Sequence, residues 1–365
     1  MSRKVEAEHG VVCRKPGERF GYFGWPSIAR TEDGTLVVAS SGLRTEHVCP
    51  FGKTVLNFSK DNGKTWSEPQ VINDSPMDDR DAGVVALGGK ALLVSWFTSD
   101  TRKYVAWAKK GLSAEEMARW DEVLKTWTDE MVRQWLGSWI LLTEDGQTWG
   151  NPIKVPVSTP HGPIRLRSGE LLYLGKSGFA AGDQHKGEIM ACRSADGGRT
   201  WTELGCVPVG DGTRVVNYHE PHVVEAEDGR LIGMIRFQHE GADDPAKNHI
   251  NFCMFQTESD DRGRTWTKAR PTGVYGSPPH LLRHSSGRIV CVYGYRQAPF
   301  GQRAMISEDG GKTWETGLIV RDDGPDSDLG YPASVEMPDG SIFTIYYQKY
   351  RAGEKCSLLW TRWRL

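Results

Sequence analysis

No stretch of this chain stays apolar for the ~20 residues that a membrane span needs, and neither sign of charge dominates it. Its 45 Lys and Arg stand against 47 Asp and Glu, a formal net charge of −2. That balance gives nucleic acid or an anionic membrane no electrostatic footing, and neither is expected as a partner. Cysteine is sparse, with seven scattered residues in 365 and no CxxC spacing, which fits free thiols in a reducing compartment. The opening "MSRKVEAEHGVVCRKPG" lacks the apolar core of a secretory leader, so a cytoplasmic location is expected. A hydrophobic content of 38% beside 25% charged residues is otherwise that of an ordinary globular protein.

What the chain has in plenty is one turn, written five times. "SEDGGKTW" at 307–314 is matched by "SKDNGKTW" at 59–66, "SADGGRTW" at 194–201, "SDDRGRTW" at 259–266 and a shortened "TEDGQTW" at 143–149. A second repeat, an extended run, a Gly turn and an apolar run, is typified by "IARTEDGTLVVAS" and "SVEMPDGSIFTIYY". Its turn glycines are Gly34, Gly89, Gly169, Gly229, Gly287 and Gly340, with separations of 55, 80, 60, 58 and 53 residues. A Gly turn between β-rich runs signals a hairpin, and the box supplies a second. Two hairpins make a four-stranded antiparallel blade, and six such units predict an all-β, six-bladed β-propeller spanning 1–365 as a single domain. The sixth unit lacks a box and ends in "CSLLWTRWRL". The N-terminal "EHGVVCR" is expected to close it and remove the exposed edge.

The long separation holds "GLSAEEMARWDEVLKTWTDEMVRQWLG". Ser113 with Glu116 forms a capping-box pattern, and Trp120, Leu124, Trp127, Met131 and Trp135 recur at helical spacing. This predicts one α-helix at 113–136 within an insertion of blade 2, about 110–137. Its apolar stripe has to be covered by its own blades, by a second subunit in a homo-oligomer, or as a lid on the pocket.

Strand alternation places the Gly turns and the boxes on one rim, so chemistry belongs on the other. First-strand starts bring Trp25, Arg80, Asp81, His161, Glu220 and Tyr331 there. Second-strand ends and the loops after them bring Arg44, Glu46, His47, Arg102, Lys176, His185, Arg236, Arg296 and Arg303. Several guanidinium groups around a carboxylate and a Tyr suit an anionic substrate, because the planar fork matches a carboxylate at two points. No cofactor or metal is expected: His219 and His222 of "HEPH" fall on opposite faces of a strand. The other histidines read as sugar contacts or satisfied rings.

The five boxes resemble the Asp-box of the sialidase superfamily, S-x-D-x-G-x-T-W, and the resemblance covers nearly the whole chain. It implies a propeller in which the boxes are scaffold. "YHEPHVVEAEDGRLIGMIR" is similar to the family segment where a Glu opens a blade and an Arg of the carboxylate-binding triad ends its second strand. The resemblance therefore implies Glu220 and Arg236 in these places. "YGYRQAPFGQRAMISEDGGKTW" stands where the third Arg lies, with Arg296 and Arg303 as rivals. "LGYPASVEMPDGSIFTIYYQ" resembles the segment of the nucleophilic Tyr, which implies Tyr331 as nucleophile and Glu220 as its activator. A sialic acid carries its carboxylate on the anomeric carbon, so a carboxylate nucleophile would be repelled.

Two departures stand out. "YFGWPSIAR" puts Gly24 and Trp25 where the family's F/Y-R-I-P arginine lies, with Arg44 or Arg80 as replacements. "RTEHVCPFGK" has no acid/base Asp, which leaves Asp81 first, then Glu46 or His47. The implied activity is that of an exo-acting glycoside hydrolase releasing a terminal, sialic-acid-like sugar from a small glycan. The alternatives are a glycosidase or lyase for rhamnose- or uronate-containing glycans, with His161 or His47 as proton shuttle, and a non-catalytic glycan-binding propeller.

Overall fold

The computed structural model describes residues 2–178, 185–241 and 243–365. Its strands form six sheets, each with four antiparallel strands, and the two-residue strand Arg3–Lys4 adds in parallel to the edge of one. Blade 4 shows the plan: Tyr218–Glu225 lies innermost, followed by Leu231–Phe237, Cys253–Ser259 and Arg270–Tyr275. Blade 6 is completed from the other end of the chain. Ala7–Cys13 pairs antiparallel with Cys356–Trp363, with His9 opposite Thr361, and as the fourth, outermost strand of this blade it closes the ring. Among the described residues no helix is long and apolar enough to cross a membrane.

The hydrophobic core is six interfaces between blades rather than one central mass. Val38, Phe343 and Ile345 pack between blades 6 and 1, and Ala39, Val84 and Val94 between blades 1 and 2. The same pattern recurs around the ring. Each box tryptophan leans on the preceding blade: Trp66, Trp149, Trp201, Trp266 and Trp314 each join a different interface. The sixth interface has no box to serve it. There Trp363, 1% exposed, fills the position and donates its Nε1 to Thr344 Oγ1 at 2.9 Å.

The box chemistry is local. Ser59 Oγ accepts from Gly63 N at 2.9 Å, while Asp61 accepts from Thr65 N at 2.9 Å and Thr65 Oγ1 at 2.6 Å. Gly63 sits at φ +88°, and a Cβ there would lie 2.5 Å from the Phe343 ring, so only Gly fits. Pairing of Leu231 with Ser259 and of Arg236 with Met254 puts the boxes at one end of the blades. Tyr218, Glu220 and Arg236 cluster at the other, which makes that rim the mouth.

The insertion departs from the single helix expected at 113–136. Short helical turns at Thr101–Tyr104 and Val105–Ala108 precede two helices, Ala114–Leu124 and Asp129–Trp135. The break has a visible cause in "TDE": Thr128 caps a second helix, its side chain accepting from Met131 N at 3.1 Å, with Asp129 and Glu130 in the first turn. The unbroken apolar period hid this start signal. Glu116 follows the Ser113 cap but turns its carboxylate to Arg19 in a two-point contact of 3.0 and 3.1 Å. The stripe is spent on the mouth of blades 1 and 2. Trp120 is buried with Val48, Cys49 and Met117, and Trp127 and Val132 close over Met77.

Because Trp363 alone performs at its interface what box tryptophans perform elsewhere, Trp363→Ala should lower stability by ~3–5 kcal/mol. Trp149→Ala, at a partly buried position, should cost clearly less. Urea midpoints of the two variants measure this, and equal losses would contradict it.

Candidate active site

Four of the candidate groups at the mouth are placed by one backbone device. At the start of an innermost strand, two residues oppose one on the next strand. The register slips between Gly24 and Ser27, Arg80 and Gly83, His219 and His222, and Gly330 and Ala333. The first residue of each bulge is left-handed: Trp25 at φ +51°, Asp81 at +53°, Glu220 at +45° and Tyr331 at +52°. Such a conformation costs a non-Gly residue ~1–3 kcal/mol, and four together mark a place the fold holds under strain. The second residue is Pro26, Pro221 or Pro332 in three of the blades. A proline has no N–H to withdraw from the ladder, so a bulge is where it fits. The recurring X-Pro at blade starts was thus a readable signal for these positions.

Tyr331, Glu220 and Arg236 form one hydrogen-bonded unit. The Tyr331 hydroxyl donates to Glu220 Oε1 at 2.5 Å, and Arg236 Nη1 donates to Glu220 Oε2 at 2.6 Å and to the Tyr331 oxygen at 3.3 Å. Gln238 fixes the other arm of Arg236, accepting from Nη2 at 2.6 Å. Burial alone would raise the Glu220 carboxyl, but Arg236 and the Tyr331 hydroxyl outweigh it and hold it below its ordinary value. Burial, reinforced by Glu220 and Asp81, lifts the Tyr331 phenol well above 10. The resting pair is therefore a carboxylate and a neutral phenol. Tyr331 also belongs to the packed core: it is 5% exposed, and its ring meets Trp25 and Tyr347 at 6.3 and 5.9 Å.

Asp81 stands beside this unit. Burial pushes its carboxyl up to about 7, against the pull of Arg80 and with the repulsion of Glu220 added. Its Oδ1, Arg80 Nε and Arg236 Nε are all buried without a protein hydrogen-bond partner. Arg80 and Arg236 are among the charges that pull on Asp81, so these unsatisfied atoms gather around one carboxyl.

The other expected residues divide. Arg296 lies with its guanidinium 5.6 Å from the Tyr331 ring centre, and its Nε donates to Leu329 O. Arg303 is not at the mouth centre. It is buried under Tyr295 and donates to the carbonyls of Gln302, Arg321 and Pro299, which leaves no fork for a ligand. Arg80 and Arg44 sit 4.3 and 4.9 Å from the Trp25 ring centre. Arg44 is fully buried and spent on Asp78 at 2.6 and 3.0 Å, whereas Arg80 reaches Asp78 only at 4.0 Å and keeps 12% of its side chain exposed. Trp25 itself is 1% exposed and supports Arg80 rather than meeting a ligand.

His47 keeps 42% of its side chain exposed, and its Nδ1 lies 2.9 Å from Asp328 and 3.0 Å from the Tyr22 hydroxyl. His161 does not reach the mouth. It is buried with His222 and His280, ring centres 5.6 and 5.0 Å away, and burial holds its imidazole well below 6.5. Arg102 is held within the insertion by Asp100 and Asp129. Lys176 comes into the site from blade 3. Its Nζ lies 3.0 Å from His219 Nδ1, and burial, opposed by Glu240 and Glu220, lowers it to about 8. A groove of about 740 Å³ on the opposite rim is lined by Asp33, Trp66 and Asp145. Its carboxylates are consumed by their own turns.

A carboxyl whose folded pKa exceeds its unfolded value binds its proton more tightly when folded. The stability this gives is full below about pH 4 and is lost as pH rises through about 7, the shifted value of both Asp81 and its buried neighbour Asp79. Asp81→Asn should flatten that decline and leave the part owed to Asp79. Urea unfolding at several pH values across the window reads it out, and an unchanged pH slope would contradict the placement of Asp81.

Comparison with known proteins follows the same line. Residues 123–344 match the BNR repeat-like domain family. A sialidase of Micromonospora viridifaciens is 27% identical over 190 residues, 45% of this chain, and the match spans 28% of that protein's length. Among solved structures, a Dyadobacter fermentans protein of unknown function superposes with a TM-score of 0.75 at 23% identity, covering 99% of both chains. A Trypanosoma rangeli sialidase superposes with a TM-score of 0.63 at 15% identity, over 98% of this chain and 59% of that one. These likenesses are of fold. With more than half of its length matched by the family profile, and with five boxes on six blades, the chain belongs to the BNR repeat-like domain family, as a sialidase-like propeller.

Proposed function

We propose that this protein is an exo-acting glycoside hydrolase of sialidase type, acting on a terminal acidic sugar of a small glycan. The observation that carries the reading is the Tyr331 hydroxyl 2.5 Å from a Glu220 carboxylate that Arg236 keeps ionised. Glu220 accepts the phenolic proton as the Tyr331 oxygen attacks the anomeric carbon. A neutral nucleophile thereby meets a centre that already bears a carboxylate. Asp81, protonated near neutral pH, gives its proton to the leaving oxygen. As a carboxylate it then draws a proton from the water that breaks the glycosyl–tyrosine bond. Arg236, Arg296 and Arg80 bind the substrate carboxylate, Arg80 standing in for the arginine that Trp25 displaces. A second reading rests on His47 and Asp328, a solvent-facing imidazole oriented by a carboxylate at 2.9 Å. It would serve as proton shuttle for a rhamnose- or uronate-type substrate.

Purified protein assayed on aryl glycosides of sialic acids, uronic acids and rhamnose tests the reading, with turnover expected on the sialoside. Tyr331→Phe keeps the buried ring and should lower kcat ~10²–10⁴-fold with an unchanged circular dichroism spectrum. Near-normal turnover by that variant would remove the nucleophile from the mechanism.

The two arginines beside Trp25 should separate. Arg80→Ala is expected to raise KM for the acidic substrate while the protein stays folded. Arg44→Ala should cost ~3–5 kcal/mol of stability, because it leaves the buried Asp78 with only the 4.0 Å contact to Arg80. A KM unaffected by loss of Arg80 would exclude it as the replacement arginine.

A further inference from the structure

Outside the central site, blade 3 gathers three different metal-ligating side chains on the outer part of the mouth rim. His185 and Glu188 come from one turn before the strand Ile189–Ser194, and Cys206 ends the outermost strand, Thr202–Cys206. His185 Nδ1 lies 2.9 Å from Glu188 Oε2, and Cys206 Sγ lies 3.6 Å from that nitrogen and 3.7 Å from that oxygen. Zinc bonds of about 2.0–2.3 Å in a tetrahedron set ligand-to-ligand edges of about 3.3–3.6 Å. The three side chains therefore already trace one face of such a site, within a few tenths of an ångström.

The backbone holds that face in place. Glu188 N donates to His185 O at 3.0 Å, and Gly187, at φ +85°, allows the tight turn between them. Ser177 N donates to Glu188 O at 2.9 Å, and Val207 N donates to Ile189 O at 2.8 Å, which ties both ligand-bearing segments into the blade. Two ligands three residues apart on a turn, with a third on the paired strand, is a spacing suited to a small tetrahedral ion. Cys206 is also the one cysteine of the seven that is not buried.

We propose that His185, Glu188 and Cys206 form a zinc-binding site on the outer mouth rim of blade 3, distinct from the Tyr331 site. The donor set is imidazole nitrogen, carboxylate oxygen and thiolate sulfur, which suits a borderline-soft divalent ion. Binding displaces the thiol proton, so a thiolate and a carboxylate neutralise the charge of Zn²⁺. The His185 and Glu188 side chains are 42% and 37% exposed, which leaves the group open to an ion from solvent.

Metal-free protein, prepared by dialysis against a chelator, is titrated with Co²⁺ as a spectroscopic probe and with Zn²⁺ by calorimetry. One equivalent should bind, and Co²⁺ should show tetrahedral d–d bands with a thiolate charge-transfer band that Cys206→Ser removes. His185→Ala and Glu188→Gln should each weaken Zn²⁺ binding at least about tenfold, the lower end of what loss of even an outer-shell partner costs. Independently of any variant, saturating Zn²⁺ should slow alkylation of Cys206 followed by mass spectrometry. A cobalt complex without the thiolate band, or alkylation that Zn²⁺ does not slow, would overturn the proposal.

Discussion

Closure of the ring is the constraint on which everything else depends. A blade with apolar side chains on both faces is stable only between two others, so six blades need six filled interfaces and no free end. The box tryptophans fill five of the interfaces and Trp363 the sixth. The strand Ala7–Cys13, paired with Cys356–Trp363, binds one end of the chain to the other. The five-fold repetition that dominates the sequence is thus about assembly. Each copy terminates a hairpin and supplies the wedge for the neighbouring blade.

That rigid ring allows the mouth to be strained. Four left-handed residues at bulges would be expensive in an isolated hairpin, but here each bulged strand packs against strands of the neighbouring blades. The same bulge re-aims a side chain toward the axis, so quasi-equivalent positions in different blades deliver Trp25, Asp81, Glu220 and Tyr331. Second-strand ends add the cations Arg236, Arg296 and Lys176 around them. Geometry and charge at the mouth both follow from the repeat, one residue type per blade.

The site's electrostatics come from unequal surroundings of similar groups. Glu220 has Arg236 at 2.6 Å and stays ionised, whereas Asp81 lacks a partner at that distance and keeps its proton to about pH 7. One carboxyl is thereby a base and the other an acid at the same pH. Trp25 adds a further asymmetry. Its ring meets both Arg44, locked on Asp78, and Arg80, which lies 4.0 Å from the same carboxylate.

From the residues alone came the blade count, the rim on which boxes and chemistry segregate, and the closing N-terminal strand. These rest on periodicity or on turn chemistry, which act over a few residues and are legible locally, whereas the grouping of Glu220, Arg236 and Tyr331 is implied by the resemblance to the sialidase superfamily. Tertiary structure decided the rest. It turned Arg44 inward to Asp78, 34 residues away, and Arg303 to the carbonyls of Arg321, Gln302 and Pro299, while the insertion broke at Thr128, where a local cap outweighed a continuous apolar stripe. It also sent His161 into a buried cluster with His222 and His280, rings contributed by three different blades. Whether an arginine meets a ligand or a buried aspartate depends on which distant group reaches it first. A one-dimensional pattern does not hold that distance.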